Sequence, residues 1–113
     1  EIGLNHLGSE ERANSLTSEL KMTDVDAVTI QIREDAFYRG PESWKTPYPL
    51  DAYHPLKEAI HASGKKFGIA LGDAVTAEKA RDIEPDFWKV LSFGLSDFKL
   101  LETNALNFSP FFA

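Results

Sequence analysis

Four times along this chain a strand-like run is followed by a helix-start signal, and this alternation constrains the fold more than any other feature. Ile2 and Leu4 mark a short strand, ended by Asn5-His6-Leu7-Gly8. Ser9 is then a good N-cap. Glu10 and Glu11 suit the positive end of the following helix, along which Ala13, Leu16 and Leu20 recur at helical spacing. A second strand is predicted over about Asp26 to Ile32 and a second helix over about Tyr53 to Ser63. Pro55 is tolerated in that helix's first turn, and Gly64 is its expected stop. The third strand is Lys66 to Leu71, followed by a short helix that Thr76 is expected to cap and that contains Ala77 and Ala80. The fourth strand is Phe87 to Leu91, and Ser96 is expected to cap a last helix through Leu100 and Leu101. Strand–helix alternation argues an α/β fold with a parallel sheet and right-handed crossovers. The expected units are about residues 1–22, 26–63, 66–82 and 86–103, within a single domain spanning 1–113.

The two faces of the predicted sheet differ. One carries Ile2, Leu4, Val28, Ile30, Phe67, Ile69, Leu71, Trp88 and Val90, and must pack under the helices. The other carries Glu1, Gly3, Asn5, Thr29, Gln31, Gly68, Ala70, Gly72, Lys89 and Leu91, which are small or polar almost throughout. A parallel strand buried on both faces reads as a continuous apolar run. The second face is therefore either a solvated pocket, ligand site or interface, or simply a wet sheet face.

Composition narrows the partners. The 113 residues carry 18 acidic against 12 basic side chains, a net charge of −6. Nucleic acids and anionic membranes both require a basic footprint, so neither is an expected partner. No apolar run approaches the ~18 residues of a membrane span, and the cytoplasm is the expected compartment. With 0 cysteines, disulfide scaffolds and thiolate zinc sites are excluded. The chain begins without Met, on what reads as a strand, and is expected to be a fragment, a processed product or a trimmed form.

The connection from Arg33 to Leu50 holds Gly40, Pro41, Pro47 and Pro49 together with Phe37, Tyr38, Trp44 and Tyr48. Structureless loops beyond about 12–15 residues are uncommon and often functional. This one follows a strand, at the sheet end where α/β proteins bind ligands. It reads as a lid, as a surface loop pinned by its aromatic residues, or as a contact to a further part of the protein.

The opening Glu1-Ile2-Gly3-Leu4-Asn5-His6-Leu7-Gly8-Ser9 resembles the first strand of the N-acetylneuraminate (sialic acid) synthase family, which reads roughly EIGxNHxGS. Asp26-Ala27-Val28-Thr29-Ile30-Gln31 falls where that family has a DAVKxQ strand. Pro55-Leu56-Lys57-Glu58, then Gly64, Phe67 and Asp73, follow its LKE…G..F…D run. Phe87 to Ser92 falls on its FKIGSGE strand, and Leu100-Leu101-Glu102 on its PLLE helix. The resemblance covers about residues 1–32 and 51–102. It implies a TIM-like (β/α)₈ barrel of which this chain holds four parallel βα units, against the ~250 residues of a whole barrel. It also implies condensation of phosphoenolpyruvate with an N-acetylhexosamine amino-sugar. In that reaction the phosphoenolpyruvate methylene carbon attacks the sugar aldehyde, assisted by Mn²⁺ or Mg²⁺. The metal-binding histidines implied by the resemblance come from the other half of the barrel, so this chain alone is expected to bind no cofactor.

By the same resemblance, Lys89 matches a lysine that binds the phosphate or carboxylate of phosphoenolpyruvate. Ser92 and Gln31 match residues that orient it, and Asn5 and His6 match the strand-one pair. Several positions depart from the pattern. Thr29 stands in place of a second substrate-binding lysine, and Ala70 in place of a threonine or serine. Leu91, Phe93 and Gly94 replace the glycines and glutamate of GSGE, and Leu7 replaces a polar residue. Each charge-assisted hydrogen bond that these replacements remove is worth about 1.5–3 kcal/mol. Read from the residues alone, Lys89 is a snorkelling lysine or a partner for Glu1 across the sheet. His6, His54 and His61 are too dispersed to share a metal and read as structural or surface residues. A sheet with one open face and two free edges is an association hazard, so a homo-oligomer is expected, with Phe108, Phe111 and Phe112 as candidates to cover an edge. A non-catalytic anion- or sugar-binding domain and a self-associating structural domain are the alternatives to an enzyme.

Overall fold

The computed structural model describes residues 1–42, 45–107 and 111–112. The elements are α1 (Glu10–Lys21), β1 (Ala27–Gln31), α2 (Asp35–Tyr38), α3 (Tyr53–Ala62), β2 (Lys66–Leu71), α4 (Ala74–Ala80), β3 (Phe87–Val90), α5 (Phe98–Asn107) and β4 (Phe111–Phe112). The strands form a parallel sheet in the order β1-β2-β3-β4. Among the described residues, three strands have four to six residues and the fourth has two. The arrangement is α/β and compatible with a partial TIM-like barrel.

Local chemistry explains most boundaries. Ser9 caps α1 by accepting from the Arg12 N–H at 3.3 Å, which satisfies one of the orphan donors of a helix start. Ala13 and Thr17 are buried, and Leu16 and Leu20 pack beside them. Tyr53, Leu56 and Ile60 form the buried stripe of α3. Val28, Ile30, Phe67, Ile69, Leu71, Trp88 and Val90 make one continuous apolar face beneath the helices.

Four expectations are corrected. The first strand is reduced to one bridge, Ile2 against Ile30. The Ile2 N–H donates to Thr29 O at 2.7 Å and the Gln31 N–H to Ile2 O at 2.9 Å. From Leu4 the chain turns, with Leu7 N–H donating to Leu4 O and Ser9 N–H to His6 O, so Leu4 leaves the apolar face. Asp73, not Thr76, caps α4, its carboxylate accepting from the Thr76 N–H at 2.9 Å. Thr76 lies inside the helix and donates its hydroxyl back to Asp73. Asp97, not Ser96, opens α5 by accepting from the Leu100 N–H at 3.0 Å. In both places a carboxylate three residues before the amide takes the cap from a nearby hydroxyl. The tail, whose Phe111 and Phe112 are expected only to cover an edge, supplies a strand, β4, which pairs with Trp88 and Lys89 of β3 and covers part of that edge. Phe108 lies outside the described residues.

One carboxylate ties α3 to the sheet. Asp86 Oδ2 accepts from the Phe67 N–H at 2.7 Å and pairs with His61 Nε2 at 2.7 Å. Partial burial raises its pKa, but these two hydrogen bonds outweigh it and hold the carboxyl below the ordinary 3.8. A depressed folded-state pKa adds stability that is present above the unfolded value and lost as pH falls through the folded one. Asp86→Ala, which leaves the Phe67 N–H without its acceptor, is expected to cost about 1–3 kcal/mol at neutral pH. Asp86→Asn keeps an acceptor and should cost less. Urea unfolding of the three proteins checks this, and the gap between wild type and Asp86→Asn should narrow as the pH is taken below 3.8.

Candidate functional site

The second face of the sheet is built as its alternation requires. Register places Thr29, Gly68 and Phe87 in one row and Gln31, Ala70 and Lys89 in the next. β2 contributes almost no side chain here, so the rows form a shallow trough between β1 and β3. A Cβ at Gly68 would lie 2.5 Å from the Phe87 ring and 2.8 Å from the Thr29 methyl group. The ring of Phe87 thus closes the amino-terminal end of the trough, a role that the sequence pattern did not assign to it. Toward the carboxyl ends, Gln31 Oε1 and Asn5 Oδ1 lie 3.9 and 4.0 Å from where a Cβ on Gly3 would stand. The two amide side chains therefore converge over a residue that has none.

Lys89 forms an ion pair with Glu1, the pairing that the sequence offered as an alternative to ligand binding. Thr29 donates its hydroxyl to the same Glu1 oxygen at 3.3 Å. Glu1 lies beyond β1 and Lys89 lies on β3, so the pair reaches across the trough above Gly68 and Ala70. Both side chains remain partly exposed. This face offers one ammonium, one carboxylate, two amides and a hydroxyl. Glu1 takes one of the three donors of the Lys89 ammonium, so an anion at Lys89 must share it with that carboxylate or displace it, and no second lysine or arginine stands in these two rows.

The other residues matched by the resemblance lie elsewhere. Ser92 is exposed, at the start of the 3-10 turn Ser92–Ser96 after β3. His6 is 1% exposed and does not face the trough. Its Nδ1 accepts from the Gly8 N–H at 2.9 Å, and its ring meets the edge of Tyr48 at 5.3 Å. Burial lowers its pKa, so the ring is neutral with its proton on Nε2, which is fully enclosed and without a partner. His54 is exposed and His61 belongs to the Asp86 pair. Among the described residues no three His, Asp or Glu side chains converge.

The long connection is held by its rings. The Tyr38 hydroxyl accepts from the Arg33 N–H at 3.2 Å. The Arg33 guanidinium lies 4.2 Å from the Phe37 ring centre and 4.7 Å from that of Phe93, and it also grips Glu34 through two 3.0 Å hydrogen bonds. Tyr48 packs edge-on to Tyr53 at 4.9 Å. The segment expected to lack regular structure contains α2, and Trp44 lies outside the described residues. Behind this connection, at the carboxyl end of β1, is a cavity of about 500 Å³ lined by residues of the connection, α3 and α4. None of Glu1, Thr29, Gln31 or Lys89 lines it. The aromatic residues of the connection were visible in the sequence. That Arg33 and Arg39 share a cavity with Lys79, forty residues further on, was not.

No family model and no curated protein matches this sequence. Among solved structures, the fold is similar to that of a protein from Chromobacterium violaceum ATCC 12472, provisionally named spore coat polysaccharide biosynthesis protein E. It superposes with a TM-score of 0.77 at 19% identity, over 97% of this chain and 38% of that one. The likeness shows that the fold is shared. The chain spans 38% of the length of that neighbour. Among the described residues no helix is long and apolar enough to cross a membrane.

Proposed function

We propose that this chain forms one wall of a ligand site in a carbohydrate-biosynthesis enzyme, and that the wall is the trough lined by Thr29, Gln31 and Lys89. The observation that carries this reading is the alignment of Gln31, Ala70 and Lys89 in one row on an otherwise side-chain-poor sheet face. A fold shared with a polysaccharide-biosynthesis protein and the resemblance at the opening strand support it. In the finer form of the proposal, the ligand is phosphoenolpyruvate, condensed with an N-acetylhexosamine. The Lys89 ammonium holds its carboxylate or phosphate, and the Gln31 amide and Thr29 hydroxyl orient it. Glu1 occupies Lys89 when the ligand is absent. The remaining walls come from further polypeptide or from a second copy of the chain.

A second reading is a non-catalytic anion- or sugar-binding wall. It is favoured by the single cation, already paired, where the resembled enzymes place two. Calorimetric titration tests the anion site that both readings share, and condensation product formed when both ligands are present separates them. Phosphoenolpyruvate is added to the purified chain and to Lys89→Ala, with N-acetylmannosamine in a parallel titration. Binding of phosphoenolpyruvate that weakens by about tenfold or more in Lys89→Ala is expected, since the variant has no ammonium to hold the anion. Binding of the sugar alone, insensitive to Lys89, selects the second reading. Absence of heat from either ligand with a folded chain overturns both.

A further inference from the structure

We propose that the cavity at the carboxyl end of β1 is a second binding site, separate from the trough, for a small organic anion whose charged group sits on an apolar or ring-shaped body. Its volume of about 500 Å³ lies within the range of small-molecule sites. Its wall is apolar, from Ile32, Pro47, Leu50 and the rings of Tyr48 and Tyr53. Its charged groups are mostly positive, and its other polar groups are the hydroxyls of Tyr38, Tyr48, Tyr53 and Thr76.

The charges around it can be followed one at a time. Arg33 is held by Glu34, and Lys79 is paired with Asp35. Arg39 lines the cavity, is exposed, and has no ion pair among the described residues, with Asp35 in electrostatic reach. The lining itself carries three cations, Arg33, Arg39 and Lys79, against one carboxylate, Asp35, in a chain of net charge −6, while Glu34, Glu10 and Asp51 lie within electrostatic reach of its tyrosines. A site that meets an anion inside an acidic protein requires such a local reversal.

The second observation is independent of charge. Tyr53 is 1% exposed and Tyr48 is 5% exposed, yet neither hydroxyl has a hydrogen-bond partner among the described residues. Buried hydroxyls are normally satisfied. The only fully enclosed side-chain polar atoms left without a partner among the described residues are His6 Nε2 and Thr17 Oγ1. The two phenol oxygens therefore still border open space, and both residues line this cavity. Burial holds both phenols above their ordinary pKa, most strongly Tyr53. They stay protonated and can donate to an oxyanion, while the rings pack against its apolar body.

The test uses the whole chain, ¹⁵N-labelled, with phenyl phosphate as the probe and inorganic phosphate and phenol as its two halves. Phenyl phosphate is expected to give saturable shifts at the amides of Ile32, Arg33, Arg39, Tyr53 and Thr76. Affinity should fall about tenfold in Arg39→Gln and less in Tyr53→Phe, and should be unchanged in Lys21→Gln, which removes a charge on α1. Arg39 is exposed and Tyr53→Phe keeps the ring, so both variants should remain folded. The proposal is overturned by shifts centred on Gln31 and Lys89, by inorganic phosphate binding as tightly as phenyl phosphate, by an unaffected Arg39→Gln, or by no shift at all. Loss of phosphoenolpyruvate binding at the trough would leave these outcomes unchanged, so the two proposals fail separately.

Discussion

Trp88→Ala is expected to lower stability by about 3–5 kcal/mol, the usual cost of emptying a large aromatic site in a core. Trp88 is 1% exposed and is the bulkiest of the fully buried side chains. It sits in the middle of the sheet, opposite Ile69 on one side and joined by β4 on the other. Its row neighbour Ile69 is fixed by the backbone hydrogen bonds of β2, which limits how far the site can collapse around the void. Domains of this size hold only about 5–15 kcal/mol in total. The melting temperature should therefore fall by more than about 10 °C, read by calorimetry or by circular dichroism. Trp88→Phe, which leaves a smaller void, should fall between the two. A loss for Trp88→Ala within ~1 kcal/mol of wild type would mean that β3 is not the centre of the core.

Gly94→Glu is the second large effect, and it bears directly on function. In the resembled enzymes a glutamate closes the motif that Leu91-Ser92-Phe93-Gly94 replaces here. Restoring it would be an obvious attempt to recover a site. The backbone forbids it. A Cβ at Gly94 would lie 2.7 Å from the carbonyl oxygen of Gly72 and 2.9 Å from its Cα. Neither atom can rotate away, because Gly72 follows directly on β2. Gly72 in turn is covered by the Phe93 ring, 2.1 Å from where its own Cβ would stand. Overpacking alone costs about 1–3 kcal/mol, and a carboxylate starting from a buried backbone position adds a desolvation cost. Gly94→Glu is expected to unfold or to lose more than about 3 kcal/mol, with Gly94→Ala showing the steric part alone. Denaturant titration of both variants measures this. A stable Gly94→Glu that also binds phosphoenolpyruvate more tightly would show that the turn after β3 can take the arrangement of the resembled family.

The same turn also joins two loops. Phe93 lies over Gly72 and against Arg33. The loops after β1 and β3 are thus joined through a guanidinium and two rings. The polar trough survives lower on the sheet, where strand residues are fixed by register and not by loop conformation.

What the sequence determined about this protein is whatever repeats at short range. Period-two alternation in Lys66–Leu71 and Phe87–Val90 decided which residues face the helices and which face the trough, because successive strand side chains point to opposite faces. Helical spacing and the Ser9 cap placed α1, and Gly64, which follows α3 at φ +78°, ended α3. What only the tertiary structure decided lies between residues far apart in the chain. Glu1 reaches Lys89 across 88 positions, and Arg39 and Lys79 meet at one cavity from separate elements. Phe111 and Phe112 become a strand only because the edge of β3 is there to pair with. Local propensity says nothing of such partners. They are chosen by which surfaces the folded sheet brings within reach, and the loops after β1 and β3 take the shape that buries Tyr48, Tyr53 and Gly94 once those surfaces exist.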